Sequence, residues 1–144
     1  MTSRAENLAV VRKWGDAYDR EGPEVIDRII DQVFDPEIEF SPLLAREIEG
    51  RSYHGHDGVR QFFGELNEAL GEVRYAKPQY EAVSDDFIVL LTTLIGTGRG
   101  SSVAIEQELG MVYEFANGRV IRLTAYGSHD EARAAARQAA GAEA

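Results

Sequence analysis

The sequence predicts a single α+β domain in which amphipathic helices come first and a meander of antiparallel strands follows. Apolar residues recur at helical spacing in the first half of the chain, whereas the region from Glu72 to Tyr126 alternates or is apolar throughout, as strands do. The 144 residues suffice to bury one core, and no repeat or linker divides them. We therefore expect one domain over residues 1–144, with an ordered core from about 4 to 138.

The apolar spacing predicts helices over residues 4–20, 23–34, 57–70 and 132–139. Ser3 and Glu6 have the spacing of a capping box at the start of the first helix. The second helix must end before Pro36, because the residue preceding a proline avoids helical geometry. Asp57 is placed to cap the third helix.

The strand prediction centres on a hairpin formed by residues 103–115 and 119–126. One face of the first strand is apolar and the other carries glutamates, which is typical of a half-buried strand. A two-residue turn would pair Tyr113 with Arg122, whereas a three-residue loop would pair Tyr113 with Ile121. Only the second register keeps one face apolar, so we expect the three-residue loop.

The segment Phe87–Ile95 is apolar or threonine throughout and predicts a strand that is buried on both faces. The core can cover only one face, and the other presents a set such as Val89, Leu91 and Ile95. Monomers seldom expose an apolar patch of this kind. We therefore expect a homodimer that forms through the outer face of the sheet.

Composition excludes several classes of function. The net charge of −10 argues against binding to nucleic acid or to anionic membranes. The absence of cysteine excludes disulfides, thiolate chemistry and cysteine-ligated metals. No stretch has the character of a signal peptide or a membrane span, so we expect a cytoplasmic protein without a membrane partner.

Two segments carry a resemblance to a known family. They are YHGHDGVRQFF at residues 53–63 and VYEFANGRVI at residues 112–121. Both resemble the SnoaL-like branch of the nuclear-transport-factor-2-like superfamily. The resemblance covers nearly the whole chain and implies a cone, in which a strongly curved, mostly antiparallel sheet wraps around the N-terminal helices and a short C-terminal helix follows. It also implies a pocket between helices and sheet, and dimers are common among such proteins.

The superfamily includes polyketide cyclases, ketosteroid isomerases, epoxide hydrolases, dehydratases and proteins that only bind, so the fold does not settle the activity. A ketosteroid isomerase would need a tyrosine where Trp14 stands and an aspartate base where Ser41 stands. It would also need a protonated aspartate near Gly110 or Met111. The sequence therefore does not predict that activity.

His54 is the predicted catalytic residue, because an imidazole with a pKa of about 6.5 suits proton transfer near neutral pH. The alternative is that His54 lies at the rim of a pocket without a chemical role. His54 and His56 could also share a metal with Glu39 or Glu47, but no third ligand has a diagnostic spacing. We expect neither a metal nor a cofactor.

The predicted pocket lies between the first and third helices and the sheet. Its expected ligand-binding residues are Trp14, Tyr18, Ser41, Phe62, Thr92, Gln107, Met111, Tyr113 and Leu123. Each apolar member would serve equally well as a core residue. Gln107 could orient a ligand carbonyl, or it could instead bond to the backbone at a bulge.

The expected function is that of a small-molecule binding protein for an apolar or aromatic ligand. It could also act as a cofactor-independent isomerase, cyclase or dehydratase on a small apolar carbonyl compound. The alternative is a non-catalytic ligand-binding or dimeric accessory domain. A buried ionisable group in the pocket would favour an enzyme, and a pocket lined by apolar and amide groups would favour binding.

Overall fold

The computed structural model describes residues 3–43, 52–101 and 103–143 of the chain. Glu47, one of the candidate metal ligands, lies outside these residues. The described part folds as four helices and a curled, unclosed sheet of six strands, so the predicted α+β class and its cone-like form are confirmed.

The helices of the described residues are α1 (Arg4–Glu21), α2 (Val25–Val33), α3 (Gly55–Ala69) and α4 (His129–Glu143). The predicted capping box is confirmed: the Glu6 amide donates to Ser3 Oγ, and the Ser3 amide donates to the Glu6 carboxylate, each at 3.2 Å. Asp57 does not cap α3, contrary to prediction, because this helix begins two residues earlier with His54 as its N-cap. Within the described ranges, no helix is both long and apolar enough to cross a bilayer.

The strands are β1 (Phe34–Ser41), β2 (Tyr53–His54), β3 (Arg74–Ala82), β4 (Phe87–Thr97), β5 (Ala104–Ala116) and β6 (Arg119–Tyr126). Their order in the sheet is β2-β1-β6-β5-β4-β3, and only the β1–β6 pair is parallel. The inner face packs on α1, α2 and α3 and contains the main hydrophobic core. Strand β3 is therefore the edge strand that lies beside α1.

The predicted register of the β5–β6 hairpin is wrong. Asn117 and Gly118 both have positive φ angles, of 53° and 81°, as a two-residue type I′ turn requires. A bulge then places one extra residue in β6, so that Tyr113 pairs with Leu123 rather than with Ile121. The bulge restores the alternation that a plain two-residue turn would have reversed, and Tyr113 and Leu123 therefore still face the core.

A second bulge shapes the edge strand β3 where it passes the inner face. The pairing with β4 shifts between Ala76 and Gln79, and Lys77 has a φ of 46° immediately before Pro78. A proline in a sheet is expected at an edge or a bulge, and here it occupies both. The Thr92 hydroxyl of β4 donates to the carbonyl of Ala76 at 2.7 Å and fixes the strand on one side of this bulge.

The outer face of the sheet is covered by α4 of the same chain. Phe87, Val89 and Leu91 of β4 form a buried cluster with Ala132 and Ala136 of α4. Gly110 of β5 permits this contact, since a Cβ at that position would lie 2.4 Å from the Cβ of Ala132. The expectation that this apolar face is free for a second copy is therefore wrong. Homodimerisation stays a prediction, but α4 already covers the apolar residues that suggested it.

The substitution Leu91→Glu is expected to destabilise the fold itself. Leu91 is only 1% exposed between β4 and α4, so a glutamate there would be buried without a partner. We expect the melting temperature to fall by about 10 °C or more. The matched control is Val103→Glu at a residue that is 59% exposed, for which we expect almost no change. Equal melting temperatures for the two variants would contradict the packing of α4 on this face.

Candidate functional site

A cavity of about 490 Å³ lies between α1, β3 and the inner face of the sheet, and we call it the tyrosine cavity. Five of the predicted ligand-binding residues line it: Trp14, Tyr18, Met111, Tyr113 and Leu123. It is also lined by residues that the sequence did not single out, among them Phe63, Tyr75, Tyr80 and Leu90. Its volume falls within the range of small-molecule sites, which is about 300–1,000 Å³.

The aromatic wall of this cavity follows from the helical spacing of α1. Trp14 and Tyr18 are four residues apart and therefore lie on the same face of the helix, with ring centroids 5.9 Å apart. Trp14 meets Phe34 edge-on at 5.2 Å, and Tyr18 meets Tyr75 edge-on at 5.6 Å. These tilted and edge-to-face contacts are the favoured geometries for aromatic pairs and hold the rings in place.

The hydroxyl of Tyr18 has no hydrogen-bond partner although it is buried. Among the buried side-chain oxygens and nitrogens of the described residues, only Tyr18 Oη and Ser84 Oγ lack a partner, and Ser84 does not line the cavity. An unsatisfied buried hydroxyl costs about 1–3 kcal/mol, so a native structure seldom leaves one without a reason. The Tyr18 hydroxyl is therefore the polar group on which we base the interpretation of this site.

The tyrosines of the cavity are held in their protonated form. Burial raises the pKa of Tyr18 to about 12. Burial also raises the pKa of Tyr75 and of Tyr113, with smaller effects from the neighbouring tyrosines, while a hydrogen bond with Trp14 acts in the opposite direction on Tyr113. Each hydroxyl is thus a hydrogen-bond donor at neutral pH and not a base.

Charged residues occur only at the rim of the tyrosine cavity, as far as the described residues show. Asp16 and Asp19 of α1 lie on one side, Arg74 and Lys77 of β3 lie on the other, and all four are exposed. No buried carboxylate or histidine is found among the described residues that line it. The interior therefore offers donors and aromatic surface, but no strong base.

A second cavity of about 450 Å³ lies between α3 and the inner sheet face, and we call it the apolar cavity. The predicted residues Phe62, Gln107 and Met111 line it, together with other side chains that are mostly aliphatic. Its polar groups are few. The Tyr53 hydroxyl donates to Glu65 at 2.7 Å, and the Gln107 amide nitrogen donates to the carbonyl of Glu108 at 2.8 Å.

Three predicted site residues, His54, Ser41 and Thr92, do not line either cavity. The side chain of His54 is 67% exposed, and its Nε2 lies 3.1 Å from a Glu37 carboxylate oxygen. Ser41 lies on the outward face of β1. The Thr92 hydroxyl already donates a hydrogen bond to the carbonyl of Ala76. His54 therefore lies outside both cavities, and its catalytic role stays a prediction.

His54 and His56 do not form a shared site. His56 Nε2 lies 2.8 Å from the carbonyl oxygen of Phe34, while His54 faces Glu37. Within the described residues, no group of three or more histidine, aspartate or glutamate side chains is arranged to hold a metal ion.

The comparisons with known proteins agree with this geometry. The sequence profile of the SnoaL-like domain family matches residues 11–123. A search of curated proteins finds no match. Among solved structures, an NTF2-like protein of unknown function from Burkholderia pseudomallei K96243 has a TM-score of 0.70 at 22% identity, over 88% of this chain and 93% of that chain.

Two further solved structures are similar over most of their length. A candidate polyketide cyclase from Xanthomonas campestris pv. campestris has a TM-score of 0.70 at 14% identity, over 89% of this chain and 94% of that chain. TerC, co-crystallized with polyporic acid, has a TM-score of 0.69 at 15% identity, over 92% of this chain and 98% of that chain. The architecture is that of the NTF2-like cone. Because the family profile spans most of the sequence, the chain belongs to the SnoaL-like family.

The raised pKa of Tyr18 predicts a loss of stability in alkaline solution. The folded chain holds this proton more tightly than the unfolded chain, whose tyrosines have the ordinary value of 10.0. The free energy of unfolding is thus fully retained below pH 10 and falls as the pH rises towards about 12. The free energy of unfolding of Tyr18→Phe should fall less steeply with rising pH than that of the original chain. Denaturant unfolding at several pH values measures this. An unchanged slope would contradict the buried, protonated state of Tyr18.

Proposed function

We propose that the chain binds a small, mostly apolar or aromatic compound in the tyrosine cavity, and that Tyr18 donates a hydrogen bond to a carbonyl or phenolic oxygen of that compound. The observation that carries this proposal is the buried Tyr18 hydroxyl without a partner. A ligand oxygen would supply the missing acceptor and offset the cost of burying the hydroxyl.

The walls of the cavity support a flat or aromatic ligand. Trp14, Tyr75 and Tyr113 present aromatic surface, and Met111 and Leu123 add aliphatic surface. Pockets of this kind bind through apolar contact and use a few fixed polar groups to set the orientation. The co-crystallization of the structural neighbour TerC with polyporic acid supports a small-molecule role for this fold.

Binding without turnover is the function that the electrostatics favour. Isomerisation, cyclisation or dehydration of a carbonyl compound requires a base within reach of the proton that is removed. The described lining of the tyrosine cavity has carboxylates only at its exposed rim, at Asp16 and Asp19, and its tyrosines stay protonated. Tyrosine donors alone would hold and polarise a carbonyl group but would not abstract a proton.

The substitution Tyr18→Phe tests the proposal directly. It removes one oxygen atom and keeps the ring contacts with Trp14 and Tyr75. We expect the affinity for a simple aryl ketone, acetophenone, to fall about 2- to 10-fold, which is the net value of one hydrogen bond. Trp14 is the only tryptophan and lines the cavity, so its fluorescence reports the binding. The melting temperature should stay the same or rise, since an unsatisfied hydroxyl has been removed.

Tyr53→Phe is the matched control. It removes the same atom from a hydroxyl that is already satisfied by Glu65. We expect it to lower the free energy of unfolding by about 0.5–1.5 kcal/mol and to leave the affinity for acetophenone unchanged. If Tyr18→Phe bound acetophenone as tightly as the original chain, or if it lost stability as Tyr53→Phe does, the ligand-binding role of Tyr18 would be wrong.

A homodimer remains a separate proposal. The outer face that α4 leaves open carries Glu39, Glu114 and Arg122 on the adjacent strands β1, β5 and β6, and Arg122 and Glu114 form an ion pair of 2.8 Å. Each copy carries a net charge of −10, so two copies repel each other, and salt should favour their association because it screens this repulsion. Sedimentation velocity at low and high ionic strength tests the proposal. A single species of 15.9 kDa at high concentration in both solutions would refute it.

A further inference from the structure

The tyrosine cavity and the apolar cavity share a wall. Tyr75 of β3 and Met111 of β5 are the two residues that line both. Each cavity alone has the volume of a small-molecule site, at about 490 Å³ and about 450 Å³. Joined, they would approach the upper end of the range of about 300–1,000 Å³ that drug-sized ligands occupy.

The shared wall contains one side chain that can readily move aside, that of Met111. Met111 is unbranched and has three rotatable bonds, which lets a methionine adapt its shape to a neighbour. Tyr75, on the edge strand β3 just before its bulge, is held by its edge-on contact with Tyr18 and forms the fixed side of the wall. Opening the wall would therefore take a rotamer change of Met111 and not a change of fold.

The two cavities differ in the polar groups that they offer. The tyrosine cavity has the Tyr18 donor without a partner. The apolar cavity has Gln107, whose side-chain nitrogen donates a hydrogen bond to the backbone carbonyl of Glu108. The side-chain oxygen of Gln107 is an acceptor. The surface between these groups is aromatic and aliphatic. A ligand that matched both cavities would carry an oxygen at its head and a long apolar body.

We propose that the ligand is elongated and spans both cavities, with an aryl carbonyl head beside Tyr18 and an apolar tail that passes between Tyr75 and Met111 into the apolar cavity. This inference rests on the proposed function, because it takes the tyrosine cavity as the binding site of the head. Beyond the proposed function, it specifies that the ligand is long and has a polar head and an apolar tail. Met111 would then set which tails are admitted.

The test is isothermal titration calorimetry with acetophenone and with 4-alkylacetophenones whose alkyl chain grows from methyl to hexyl. We expect the affinity to rise about four-fold for each methylene group that enters the apolar cavity. Leu66→Trp, at a half-buried leucine of α3 that lines the apolar cavity, should abolish most of this rise and leave the affinity for acetophenone unchanged. Leu8→Trp is the matched control, since Leu8 is a half-buried helical leucine outside both cavities.

The outcomes separate the two proposals. If acetophenone binds and depends on Tyr18, but the longer chains add no affinity in the original protein, the elongated ligand is refuted and the proposed function stands. The elongated ligand is also refuted if Leu8→Trp and Leu66→Trp flatten the rise equally. If no member of the series binds, or if Tyr18→Phe binds all members as tightly as the original protein does, both proposals fail.

Discussion

Strand β4 is apolar on both of its faces, and the rest of the structure depends on how each face is covered. Val89 and Leu91 are covered by α4, which approaches the sheet closely because Gly110 has no side chain. Ile88 and Leu90 face the main core, where the helices α1 to α3 fill the concave side of the curled sheet. The first half of β4 is thus buried on both faces within one chain, so most of the apolar surface that suggested self-association is already buried on folding.

Side chains do not completely fill the concave side of the sheet, and the candidate site lies in the space that remains. Close packing of a core normally leaves few spaces larger than a water molecule. Here the ring of Tyr18, a residue that lines the tyrosine cavity, packs against Phe63 and Tyr75, with centroids at 5.4 and 5.6 Å, yet its buried hydroxyl has no partner. The same burial that orders these rings raises the pKa of the tyrosines and keeps them as donors. Stability and the proposed ligand binding therefore depend on the same feature, a desolvated cluster of phenols.

The sequence predicted the elements well because their signals are local. The capping box, the spacing of Trp14 and Tyr18 and the alternation in β5 each depend on residues a few positions apart. The hairpin register was missed because a bulge in β6 leaves no local mark in the sequence. The role of α4 was missed for a similar reason, since an alanine-rich helix gives little sign of the surface on which it packs. His54 was chosen for its chemistry alone, and only the fold reveals that it lies outside both cavities.

The proposed binding role depends on one hydrogen bond, which Tyr18 would donate to the oxygen of a ligand in the tyrosine cavity. The most direct measurement is a crystal structure of the chain soaked with acetophenone at high concentration. We expect density for the ring among Trp14, Tyr75 and Met111, with the ketone oxygen about 2.5–3.0 Å from Tyr18 Oη. Ketone density elsewhere on the protein, or a ketone in this cavity whose oxygen points away from Tyr18, would contradict it.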